Sequence, residues 1–115
     1  MKGERSYLDY LEDILDAIAK AGEFVEGMSL EEFSEDDKTV FAVIRALEIV
    51  GEAAKKIPLD LRAQANDVPW REISGMRDKL THDYFGVNLL VVWKTVEKDL
   101  PVLEYAIREL LAKSS

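Results

Sequence analysis

The stretch Arg77-Asp78-Lys79-Leu80-Thr81-His82-Asp83-Tyr84 sets the only histidine of this 115-residue chain among an arginine, two aspartates and a tyrosine. An imidazole both gives and takes a proton near neutral pH without large tuning, so His82 is the first catalytic candidate. Arg77 supplies a permanent positive charge suited to an anionic group such as phosphate. Asp78, one helical turn before His82, could orient the imidazole and favour its protonated form. The plainer alternative for Asp78 is membership of a surface charge cluster.

Helical geometry constrains how these groups can meet. Pro69 suits the start of a helix that begins at Trp70, and on that helix Trp70, Ile73, Met76, Leu80 and Tyr84 share one apolar face. At about 100° per residue His82 lies opposite Ile73, away from the stripe, while Arg77 sits at its edge on the side of Tyr84. Arg77 and His82 are then separated by about 140° on an ideal helix. Their convergence needs a long arginine reach, a bend near Gly75, or a second subunit. Without convergence His82 is an exposed, inert histidine. Tyr84 reads as a packed ring with an accessible hydroxyl.

The elements that must position this stretch are all helical. From Ser6 to about Glu26, Tyr7, Leu11, Ile14, Ile18, Ala21 and Val25 recur at threes and fours opposite an acidic face. Ser6 with Asp9 resembles a cap, and Gly27 a stop. Ser29-Leu30-Glu31-Glu32 is a capping box for about one turn before Ser34 starts the next element. Between Glu35 and Lys56, Val40, Val43, Ile44, Leu47, Val50 and Ala54, widened by Ala46 and Ala53, mark the central helix. Gly51 lies on its apolar side, where another helix could cross closely. Arg45, Glu48 and Glu52 form one polar strip on it, either a solvated edge with local ion pairs or a polar wall facing the histidine or a subunit interface. Pro58 ends that helix, Leu59 to Ala65 form a short one, and Asn66-Asp67-Val68-Pro69 is a turn. Asn88 caps a final stretch in which Leu89, Val92, Trp93, Val96, Leu100, Leu103, Ile107 and Leu110 stay in phase through Pro101. That pattern predicts one kinked helix or two nearly collinear ones. The expectation is a single domain, residues 1–115, folded as an all-α bundle of four main helices with short extras.

Bulk properties exclude several classes. The absence of cysteine removes disulfides and thiolate metal sites, and the single histidine with no carboxylate cluster at metal-like spacing points to metal-independent chemistry. No cofactor is expected. No run approaches the length of a membrane span and the first residues do not form a signal core, so the expected location is the cytoplasm. The net charge of -8 opposes broad attraction to nucleic acid, yet it is unevenly spread. Residues 1–40 carry 4 basic and 12 acidic side chains, a balance of -8, whereas residues 69–98 carry 5 and 4, a balance of +1.

The run from Pro69 through Trp70, Arg77, His82 and Tyr84 to Val87 resembles the signature of the HepT-like HEPN family. These are ribonuclease toxins paired with MntA-type minimal nucleotidyltransferase antitoxins. The helix Arg45-Ala46-Leu47-Glu48-Ile49-Val50-Gly51-Glu52-Ala53-Ala54 is similar to that family's second helix, and the RxxxxHxY pattern falls on Arg77, His82 and Tyr84. The resemblance implies a HEPN-like helical bundle that forms a homodimer, two motifs meeting in a cleft that cuts RNA without a metal. It also implies that Tyr84 receives AMP from the cognate antitoxin, which silences the toxin. In such a reaction His82 would move protons and Arg77 would stabilise phosphate charge. The competing reading is a non-catalytic module of the same fold that binds RNA, a nucleotide or a partner protein, or a plain helical dimerisation domain.

Overall fold

Apolar residues at helical spacing draw the first segment into α1 (Tyr7–Val25), whose buried face is Leu11, Ile14, Ala17, Ile18 and Ala21. The computed structural model describes residues 6–75 and 88–114. Ser6 stands at the N-cap of α1 without a side-chain hydrogen bond. Its carbonyl accepts from the Asp9 N–H at 3.1 Å, but the expected Ser6 side-chain cap is not formed. The end of α1 is set by Gly27. Glu26 (φ -56°, ψ 127°) and Gly27 (φ 79°) form a type II turn closed by the Met28 N–H to the Val25 carbonyl at 2.9 Å. The third position of that turn needs positive φ, which glycine adopts without steric cost.

α2 (Leu30–Glu35) opens with the expected capping box, Ser29 Oγ accepting from the Glu32 N–H at 3.1 Å and Glu32 Oε1 from the Ser29 N–H at 2.9 Å. Ser34 lies inside this helix and does not begin the next one. That role belongs to Asp36, whose carboxylate accepts from the Thr39 N–H at 3.0 Å and starts α3 (Asp37–Ala54). The carboxylate wins because it is charged and stands beside the positive end of the helix dipole.

α3 buries Val43, Ala46, Leu47, Val50, Gly51, Ala53 and Ala54, more of its circumference than a single apolar stripe. It packs along α1 on one side and receives α2 and a later short helix on others. α4 is one turn (Leu59–Arg62) and α5 is described as Trp70–Ser74. Trp70 does open α5, but Pro69 occupies the N-cap. Pro69 (φ -78°, ψ 73°) centres an inverse γ-turn in which the Trp70 N–H donates to the Val68 carbonyl at 2.8 Å.

The final stretch is one continuous rod with a local widening. α6 (Leu89–Lys94) runs into a π-helical turn (Thr95–Asp99) and then α7 (Leu100–Ser114). Pro101 has no N–H and its ring would collide with the carbonyl four residues back in a regular helix. The chain relieves this ahead of the proline: the Leu100 N–H reaches five residues back to the Thr95 carbonyl, while the Thr95 hydroxyl donates to the Val91 carbonyl at 2.8 Å. The successive fours in Val92, Val96 and Leu100 fit this wider turn, and all three are buried. Phe33 of α2 is fully buried against Trp93 of α6, ring centroids 5.4 Å apart.

Among the described residues the architecture is all-α, with three long rods and short helices between them. The fourth main helix expected from Trp70 to Tyr84 is described only in its first turn. No described helix is long and apolar enough to cross a membrane.

Two glycines separate local strain from local freedom. Gly22 lies in α1, and a methyl group added there would meet no described atom within 4 Å, so Gly22→Ala should raise stability by about 0.5–1 kcal/mol. Gly27→Ala should lower it by about 1–2 kcal/mol through the left-handed backbone penalty. Urea unfolding of both variants reads the opposite signs directly.

Candidate active site

Arg77, Asp78, His82 and Tyr84, with Met76 and Leu80 of the same stripe, lie outside the described residues. What the structure describes is the frame on either side of them. On the upstream side Trp70 and Ile73 are buried, with 8% and 1% exposure, as their places on the apolar face require. Trp70 Nε1 donates to the Ala65 carbonyl at 3.0 Å, so the indole is held by its polar edge as well as by packing. Gly75 follows α5 with φ -83° and ψ -3°, away from helical ψ. A methyl group there would sit 3.3 Å from the Arg71 carbonyl oxygen. The bend expected near Gly75 involves residues that lie outside the described ones.

Sequence reasoning passed over Arg62, which proves central to this frame. Its guanidinium donates from Nη2 to the Ala54 carbonyl at 2.8 Å and from Nε to the Ile57 carbonyl at 3.1 Å. It also lies over the Trp70 ring, 5.9 Å from the centroid. The only signal in the sequence is an arginine just after a helix end with a tryptophan eight residues on, a spacing with no period of its own.

Downstream, Asn88 Oδ1 accepts from the N–H groups of Leu90 at 3.0 Å and Val91 at 3.2 Å, the expected cap for α6. Ser74 Oγ is buried and finds no hydrogen-bond partner among the described residues.

Of the polar strip on α3, Arg45 and Glu52 line clefts between α1 and the α3 segment. Arg45 Nη1 meets Glu48 Oε1 at 3.4 Å, with side chains 66% and 25% exposed. Arg45 lines a cleft of about 420 Å³ together with Asp13, Asp16, Lys20, Phe24 and Ile49. Glu52 lines an adjoining one of about 500 Å³ with Tyr10, Lys55 and Lys56. Lys20 is in turn paired with Asp16 at 2.9 Å. Both are local pairs at helical spacing with at least one side chain well exposed, each worth little in stability. Among the described residues no group of three or more His, Cys, Asp or Glu is placed to hold a metal ion.

An all-α scaffold whose short helix delivers a tryptophan-led segment to the side of a central helix is the class of domain that this geometry defines. Residues 14–110 match the family model described as "Ribonuclease HepT-like", and the chain belongs to that family. The chain is 54% identical over 101 residues to the "Probable ribonuclease HepT" of Thermococcus cleftensis, an alignment covering 88% of this chain and 92% of the relative. A protein of Caldanaerobacter subterraneus subsp. tengcongensis named a "Putative RNase" is 47% identical over 104 residues, covering 90% and 93%. Another so named, from Methanocaldococcus jannaschii, is 39% identical over 104 residues, covering 90% and 80%. No solved structure matches the chain.

Asn88→Ala should cost about 0.5–2 kcal/mol by freeing two amide donors, whereas Asn88→Asp should retain most of the cap. Thermal unfolding followed by circular dichroism distinguishes the two.

Proposed function

We propose that this protein is a metal-independent RNA endonuclease, the toxin of a pair whose antitoxin is a minimal nucleotidyltransferase. The observation that carries the reading is family membership over 97 residues, from 14 to 110, in a chain that also has the Arg77, His82 and Tyr84 pattern. The reaction is attack of a ribose 2'-hydroxyl on the adjacent phosphorus. The hydroxyl gives up its proton, the bond to the 5'-oxygen breaks, and that oxygen takes up a proton. The products are a cyclic phosphate and a 5'-hydroxyl. His82 handles proton transfer, with Asp78 as its orienting partner, and Arg77 stabilises the charge that accumulates on phosphorus oxygens. One chain offers one imidazole for two proton transfers, so a homodimer that joins two motifs in one cleft supplies both.

Tyr84 is the regulatory residue in this reading. Transfer of AMP to its hydroxyl places a bulky negative phosphate beside the RNA site, which blocks it and repels substrate phosphates. The formal charge of -8 is the observation that favours the competing non-catalytic module, because it weakens capture of RNA.

Labelled RNA incubated with purified protein and EDTA decides between them. Cleavage should persist in the chelator, yield cyclic phosphate ends, and stop with a 2'-deoxy substitution at the cut site. His82→Ala should abolish turnover while leaving folding and RNA affinity largely intact, and Arg77→Ala should damage both turnover and affinity. An unchanged rate on the deoxy substrate would sink the mechanism. RNA binding without cleavage by the wild type would leave the non-catalytic module as the better account.

A second expectation concerns control. Tyr84→Phe removes only the hydroxyl, so this variant should remain toxic in cells that express the nucleotidyltransferase. Complete neutralisation of the variant, with no AMP found on wild-type Tyr84, would replace adenylylation by simple complex formation.

A further inference from the structure

We propose that Arg62 is a positioning residue for the reaction: it ties the C-terminal end of α3 to Trp70 and so sets the starting point of the chain that carries Arg77 and His82. The proposal rests on the ribonuclease reading above for its effect on turnover, though not for its structural content.

Three contacts converge on one guanidinium. Ala54 is the last residue of α3, and its carbonyl, at the negatively polarised end of the helix, already accepts the Ile57 N–H at 3.2 Å; the Ile57 carbonyl lies in the turn that follows. Arg62 donates to both from a single planar fork, at 2.8 and 3.1 Å. The face of the same group lies over the Trp70 ring at 5.9 Å, within the range of cation–π attraction. Arg62 is itself partly buried, which reduces screening of these contacts by water.

Trp70 cannot drift from that position independently. Its indole N–H is committed to the Ala65 carbonyl, its backbone N–H to the Val68 carbonyl, and the residue is 8% exposed. Ile73, one turn on, is 1% exposed. The path from α3 to α5 thus runs through two hydrogen bonds of Arg62, its cation–π contact with Trp70 at 5.9 Å, and the hydrogen bonds that hold Trp70 in place. By sequence, Arg77 follows Trp70 by seven residues and His82 by twelve. Displacement of reacting groups by about 1 Å can cost on the order of a hundredfold in rate, so a small shift at Trp70 matters far more to turnover than to the core. Lysine cannot replace the fork, since its ammonium is a point donor without a planar face.

The test compares wild type, Arg62→Ala, Arg62→Lys and Arg62→Gln at a temperature at which circular dichroism shows each one folded. Arg62→Ala should lower kcat roughly tenfold to a hundredfold with KM changed less than about twofold, and Arg62→Lys should recover only part of it. Amide exchange should quicken at Trp70–Ser74 and at the Trp70 indole N–H, while Ile14–Ile18 in α1 stay protected. Should Arg62→Ala fail to fold, Arg62→Gln, which keeps one donor, carries the same comparison. A folded variant with wild-type kcat, or with exchange in α5 unchanged, overturns the proposal. If the wild type itself does not cleave RNA, the ribonuclease reading falls, and exchange confined to α5 still decides whether Arg62 positions that helix.

Discussion

Burial of α3 on several sides is the constraint from which the other features of this fold follow. Leu47 and Val50 are almost wholly inaccessible, and covering such side chains contributes roughly 1.5–3 kcal/mol each. A lone helix with so broad an apolar surface would not remain in water. α1 covers one flank, α2 and α5 lie on others, and α7 closes against α1 to complete the core. Asp9, Glu12, Asp16 and Glu23 of α1 are left exposed on the outside, while Asp13 is half-buried beside α3.

Burial also decides how the chain accommodates its proline. Leu100, Leu103 and Ile107 on the far side of the π-helical turn are as deeply buried as Val92 and Val96 before it. A sharp kink at Pro101 would have pulled one of these sets out of the core. Widening the turn by one residue per hydrogen bond avoids the proline collision while keeping both sets on the same face.

The link between α3 and α5 adds polar contacts to the apolar packing of Trp70 and Ile73. Hydrophobic contact alone fixes depth but tolerates sliding. Arg62 and the Trp70 indole add direction, since each hydrogen bond specifies a distance and an angle. The carbonyls at and just beyond the end of α3 thereby serve as the anchor for Arg62.

The sequence by itself determined the helical class, because periods of three and four in the apolar residues of α1, α3 and the final rod admit no strand. It also determined the ends at Gly27, Ser29 and Asn88, where one side chain or one φ angle suffices locally. The resemblance carried by the tryptophan, arginine, histidine and tyrosine of the central stretch was legible for the same reason, being a matter of residue types in order. Tertiary structure decided what depends on competition or distance. Asp36 displaced Ser34 as the start of α3, the Ser6 side-chain cap did not form, and Arg45 and Glu52 came to line clefts beside α1. Arg62 was invisible in one dimension because its partners at positions 54, 57 and 70 share no helical period, and only the folded chain brings their carbonyls and ring around a single guanidinium.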